Sequence, residues 1–180
     1  MLGVVITVMT LLTAGWPLIN MAVSDSSALA ANTKLTVGAS HRSSGTVTMG
    51  PGWFMQTAQS DPQENYDLYR GPVQLSVNYV NLLNQSQTMH LWGGLQRLVR
   101  FQHPGSTLSG PAPITTVGGY KGLIGVLAVS NFTGSAAIFP SPSRKFAIEM
   151  IVLSPRGAAA AVGAAAIRTI RSLRFPPDAQ

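Results

Sequence analysis

The side chains able to do acid–base or metal chemistry in this 180-residue chain are three histidines and six carboxylates, and there is no cysteine. The missing thiol excludes disulfides, thiolate metal sites and a cysteine nucleophile, without excluding an oxidising compartment. A metal site needs ligands at i, i+4 or a comparable spacing. His41 stands far upstream, and His90 and His103 bracket one expected helix, so they read as solvent-facing polar residues. The densest charge is Asp61-Pro62-Gln63-Glu64-Asn65-Tyr66-Asp67. It lacks the alternating ligands and central glycine of an EF-hand loop and reads as a solvated loop leading into a strand. No serine sits in a G-x-S-x-G elbow or an S-x-x-K pair. Gly118-Gly119-Tyr120-Lys121-Gly122 resembles a phosphate cradle in composition, but Walker spacing is absent and a tight hairpin entry is expected. No catalytic residue, metal or cofactor is assigned on these patterns. An enzyme reading survives only with His90 or Asp61, Glu64 and Asp67 as acid–base groups, brought within hydrogen-bond reach in a cleft.

The elements that would position these groups are legible from periodicity. Residues 45–49 and Trp53-Phe54-Met55 read as strands around a Gly50-Pro51-Gly52 turn. Tyr66, Leu68 and Arg70, then Val73, Leu75, Val77 and Tyr79, alternate with polar residues on either side of Gly71-Pro72, which predicts two strands joined in a hairpin. The period changes over 86–101, where Met89, Trp92, Leu95, Leu98 and Val99 recur at three- and four-residue spacing, an amphipathic helix with Ser86 as N-cap. Gly93-Gly94 inside it predicts a close crossing by another element. Strands return at 114–117, 120–129 and 135–139, with a turn at 131–134. The apolar run 146–153, broken only by Glu149, predicts a central strand. Ser154-Pro155 opens an alanine-rich helix over 158–173, which Phe175-Pro176-Pro177 stops. Strands, helix, strands, helix without βαβ alternation is an α+β order: an antiparallel sheet with two helices on one face.

Residues 1–23 hold no charged residue and no histidine, and are apolar all round. About 20 such residues span a bilayer as a helix. The segment is expected as a transmembrane helix or signal anchor, with two other readings open. One is a signal peptide cleaved near Ala30, after the Ala28-Leu29-Ala30 site, although no basic residue precedes the apolar run. The other is a buried core helix. Residues 24–44, rich in Ser, Ala and Asn, are expected as a stalk or linker, and 45–180 as one domain of roughly 130 residues. Lys34 and Arg42 follow the apolar run, which by the positive-inside rule alone would leave the domain in the cytoplasm. The exported-stalk composition of 24–50 favours the extracytoplasmic side. Net charge is +6, yet only 10% of residues are charged. Arg168, Arg171 and Arg174 share one helical face and are the only basic cluster, so a nucleic-acid partner is not expected. Nine arginines against three lysines, with abundant Ala and Gly, fit a GC-rich bacterial genome.

Gly52-Trp53 opening a strand, an Arg-Gly-Pro-Val strand at 70–73, a central helix, Gly-Gly-x-x-Gly at 118–122 and a last helix ending in Ser172-Leu173-Arg174-Phe175 follow in order. This arrangement resembles the PsbP-like α/β/α sandwich of actinobacterial exported and membrane proteins, LpqN-type lipoproteins among them, over residues 45–175. There is no lipobox cysteine, so the chain is not a lipoprotein. The resemblance implies a binding or assembly module and carries over no catalytic residue.

Three functions follow. The first is a membrane-anchored, non-enzymatic binding or assembly module of the cell envelope, with Trp53, Tyr69, Tyr120, Arg144 and Lys145 as the candidate partner surface. The second is a carrier of a small apolar or lipid-like ligand, with a pocket between helix 86–101 and the sheet. The third is a hydrolase. The orientation has its own test: a reporter fused to Gln180 that is active only outside the cytoplasm is expected to be active, and an inactive, stably expressed fusion reverses the topology.

Overall fold

The computed structural model describes residues 25–82, 88–158 and 160–177. The expected apolar segment 1–23 and the Ser86 cap lie outside them. Among the described residues, no helix is long and apolar enough to cross a membrane.

The strands are β1 (Ser26–Ala28), β2 (Lys34–Ser40), β3 (Ser43–Thr48), β4 (Phe54–Gln56), β5 (Asn65–Arg70), β6 (Val73–Asn81), β7 (Thr107–Leu108), β8 (Ala112–Thr115), β9 (Lys121–Val129), β10 (Phe132–Pro140) and β11 (Phe146–Pro155). Helix α1 covers Thr88–Gln102 and α2 covers Ala160–Arg171. Among the described residues, nine strands form one sheet in the order β1-β4-β5-β6-β11-β10-β9-β7, with β8 also paired to β9. Each pairing is antiparallel. The strand expected to be central is central, because β11 lies between β6 and β10. The Gly71-Pro72 hairpin joins β5 to β6 as its alternation requires. The β9–β10 turn is tighter than expected. Val129 pairs with Phe132, so Ser130-Asn131 alone make the loop, with Ser130 at φ 42°.

Alternate residues of β10 and β11 feed two separate cores. Ala137, Phe139, Phe146, Ile148, Met150 and Val152 join Ala166, Ile170 and Leu173 of the α2 region, together with Leu35, Val37 and Val47 of the β2–β3 hairpin. Ala136, Ile138, Ala147 and Ile151 join Leu91, Trp92, Leu95 and Val99 of α1. The two helices therefore cover opposite faces of the sheet, not one face. Period-two alternation over two buried faces forces this, since each face needs its own cover. The architecture is the α+β sandwich expected, in its α/β/α form.

The stalk expected over 24–44 is folded. β1 pairs with β4, β2 pairs with β3, and Leu35 and Val37 are core residues. Their short alternation is diluted by Ser, Ala and Asn, which hid it. The strands of residues 26–44 thus belong to the folded body.

The glycines fall into two physical classes. A Cβ on Gly125 would stand 2.8 Å from the Trp92 ring, so the absent side chain is what seats α1 on β9. Gly93 and Gly94 were expected to permit a similar crossing, but a Cβ on either meets nothing within 4 Å. Opposite signs follow for urea unfolding. Gly125→Ala is expected to cost about 1–3 kcal/mol through overpacking, and Gly94→Ala to add roughly 0.5–1 kcal/mol by raising helix propensity.

One core residue is charged by type. Glu149 on β11 is 5% exposed, and its Oε2 has no hydrogen-bond partner among the described residues. Its neighbours across the strands are Ile138 and Asn78. Burial raises its pKa to about 7. The folded state holds this proton to higher pH than the unfolded chain does. Stability therefore falls as pH rises from the ordinary carboxyl value toward 7, then levels, a loss of at most about 3 kcal/mol. Glu149→Gln is expected to flatten this slope and to raise the melting temperature at pH 8 more than at pH 5, as read by calorimetry across pH.

Candidate functional site

A groove of about 600 Å³ is lined by Lys34, Thr36, His41, Ser44, Thr46, Thr48, Arg174, Phe175 and Pro176. Its floor comes from strand alternation. In β2 and β3, Leu35, Val37 and Val47 point into the core, which turns Lys34, Thr36, Thr46 and Thr48 outward. Lys34 stands opposite Thr48, and Thr36 opposite Thr46 with their hydroxyls 2.9 Å apart.

The chain beyond α2 supplies the other wall. Thr46 and Arg174 exchange backbone hydrogen bonds of 2.8 and 2.9 Å. The Thr48 amide donates to Ser172 Oγ at 2.8 Å, and that hydroxyl donates to Thr169 O at 2.6 Å. Residues 172–175 thereby form a strap along β3. Phe175 is fixed by edge-to-face contacts with Tyr120 at 5.0 Å and Phe146 at 5.6 Å, and Tyr120 Oη donates to its carbonyl at 2.9 Å.

The hairpin tip brings His41 to the rim. The register shifts between Val37 and Ser40, and Gly38 takes φ +144° there. A Cβ at Gly38 would stand 2.2 Å from Ser43 O, so only glycine fits this bulge. Among the described residues the lining combines one lysine, one arginine, one histidine and four hydroxyl groups, with an apolar end at Phe175 and Pro176, and it includes no carboxylate. Such a surface complements an anionic or strongly hydrogen-bond-accepting partner.

The expected partner surface is not one surface. Trp53 was expected to be exposed but is 1% exposed, because it belongs to the core shared with α2 and the β2–β3 hairpin. Tyr120 is half-buried behind Phe175 and touches the groove only through it. Tyr69 is half-buried and stacks on Phe54 on a different part of the molecule. Arg144 and Lys145 are exposed in the β10–β11 turn, where Arg144 has φ 58°. The groove residues escaped sequence reading except His41, which was placed in a stalk. The signal that could have found them is the alternation of Lys34, Thr36, Thr46 and Thr48 with apolar neighbours.

The acid–base candidates do not converge on the groove. His90 lies exposed on α1, and His103 follows the end of that helix. Asp61, Glu64 and Asp67 stay in the turn before β5 and in β5 itself. There Asp61 O accepts the Asn65 amide at 2.7 Å and Asp67 Oδ1 accepts Ser76 Oγ at 2.6 Å. Among the described residues, no group of three metal-ligating side chains clusters.

No model of a known protein family matches the sequence, and no curated protein matches it. Solved structures do match the fold. The solution structure of cyanobacterial PsbP (CyanoP) from Synechocystis sp. PCC 6803 is similar at a TM-score of 0.56 and 11% identity, covering 83% of this chain and 96% of that one. The Ran-binding protein Mog1p of Saccharomyces cerevisiae is similar at 0.53 and 9% identity, covering 73% and 89%. A point mutant of Mog1 gives 0.53 and 8%, covering 79% and 96%. The chain therefore has the PsbP-like fold.

Proposed function

We propose that this chain is a non-catalytic binding or assembly module, held at the extracytoplasmic side of the bacterial cell membrane by residues 1–23. The observation that carries the reading is the basic, hydroxyl-lined groove between the β2–β3 hairpin and the 172–175 strap. It offers charge and hydrogen-bond donors, and among the described residues its lining has no carboxylate to serve as a paired acid or base. A fold shared with a Ran-binding protein makes a protein partner reasonable for such a surface. The finer kinship, with LpqN-type actinobacterial exported proteins, rests on the order of motifs from Gly52-Trp53 to Phe175.

An anchor retained in the mature chain suits the fold better than cleavage near Ala30. Leu29 packs on the core and its amide donates to Trp53 O at 2.9 Å, so a cut after Ala30 removes β1 and this contact. The carrier alternative needs apolar space beneath α1, but Leu91, Trp92, Leu95 and Val99 occupy that layer.

The test is crosslinking of full-length protein in native membranes, compared with Lys34→Glu and Arg174→Glu. A specific protein partner is expected with the wild type and is expected to be lost on charge reversal. Both changes are at exposed side chains, so folding should be retained. Capture that ignores both reversals removes the groove from the reading.

A further inference from the structure

A second cavity, of about 220 Å³, opens between the Gly50-Pro51-Gly52 turn, which joins β3 to β4, and the second half of α2. Among the described residues, Thr48 is the only one that lines both this cavity and the groove.

Two arginines from separate elements line it. Arg70 is the last residue of β5 and is half-buried. Its side chain lies against the turn, since a Cβ at Gly52 would stand 3.5 Å from Arg70 Nε, and Gly52 holds φ +80°. Arg168 comes from α2. Helical spacing sets it with Ala165 and Ser172 along the side of the helix that borders the cavity. Met49 and Trp53, both buried, give the cavity an apolar inner wall. Exposed Asn32 completes the lining. Its backbone amide donates to Met49 O at 2.8 Å, and its φ is 66°.

Three properties of this cavity define its occupant. The first is uncompensated charge. The lining holds two guanidinium groups and, among the described residues, no carboxylate. Neither arginine has an ion pair or a side-chain hydrogen bond among the described residues. Arg168 has a helical reason for its place, because it and Arg171 offset the negative end of the α2 dipole. Arg70 has no such reason. Two like charges on one small cavity with an apolar wall repel each other until an anion lies between them. The second is an unused donor. Trp53 lines the cavity, and its indole N–H is buried with no partner among the described residues. An indole N–H can only donate, so the group it lacks is an acceptor. The third is size. The cavity is smaller than the roughly 300–1,000 Å³ of pockets that enclose a whole drug-sized ligand. It suits one oxyanion, with the rest of the ligand outside.

Geometry separates the two common oxyanions. One guanidinium fork engages both oxygens of a carboxylate, whereas a tetrahedral phosphate presents separate edges to two forks arriving from different elements. We propose that this cavity is a phosphate-binding site, in which Arg70 and Arg168 hold the oxyanion and Asn32 is a further donor. The site stands independently of the groove. A soluble phosphate ester and a phospholipid headgroup present the same chemistry, and the test separates them.

The test is calorimetric titration of full-length protein in a non-ionic detergent with sodium phosphate, glycerol phosphate and dihexanoyl phosphatidic acid, and with acetate as the carboxylate. Saturable binding of at least one phosphate compound, tighter than that of acetate, is expected. Arg70→Gln and the exposed Arg168→Gln are each expected to weaken it about tenfold. Arg100→Gln, the same loss of charge on α1, is expected to leave it unchanged. Phosphatidic acid bound at least tenfold tighter than glycerol phosphate supports the site as one for a lipid headgroup, and equal affinities support it as one for a soluble ester. Melting temperatures of the variants are read alongside, and Arg168→Gln, at an exposed helical position, keeps the test valid if Arg70→Gln unfolds. No saturable binding of any phosphate compound at millimolar concentration overturns the proposal. So does acetate bound as tightly as phosphate, binding that Arg168→Gln leaves intact, or binding that Arg100→Gln weakens equally.

Discussion

Strand β11 runs through the middle of the sheet with seven consecutive residues, 146–152, removed from water. A strand buried on both faces cannot be stabilised by one layer of cover. Its odd- and even-numbered side chains demand separate apolar partners, and the chain supplies α1 on one side and α2 with the β2–β3 hairpin on the other. The placement of every surface discussed above follows from that demand. The groove exists because the hairpin must lie over Ile148 and its neighbours, and a Cβ at Gly45 would stand 2.6 Å from that side chain.

The same demand explains Glu149. An apolar residue at that position would complete the α1 core, whose members Ile138, Ala147 and Ile151 surround its register position. A carboxylate instead introduces a desolvation cost that a central strand has no means to relieve. Its register partner Asn78 and the hydrogen-bonded Asp67, Ser76 and Asn65 lie on the same side of the sheet.

Where local pattern determines structure, the sequence was legible. The three- and four-residue spacing of Trp92, Leu95 and Val99 gave α1, the alternation around Gly71-Pro72 gave β5 and β6, and the apolar run gave β11. Met89 was expected on the same apolar face but is 58% exposed, since it precedes the stretch that lies on the sheet. The side of the sheet each helix takes was not legible from periodicity, which put both on one face; only the resemblance to the α/β/α sandwich implied opposite faces. The groove was hidden for a related reason. Its walls come from residues 34–48 and 172–176, and no short window of sequence contains both. Trp53 was misjudged because a tryptophan after a Gly-Pro-Gly turn looks like a surface residue until the fold draws it into the core.

The strap joining Ser172 to Thr48 closes a loop of 124 residues in sequence separation. During synthesis the β2–β3 hairpin can form early, but its groove has only one wall until residues 172–176 have emerged. The shape of that groove is therefore a property of the chain through residue 176. A nascent chain, or one truncated before the strap, carries the cationic and hydroxyl groups without the wall that shapes them.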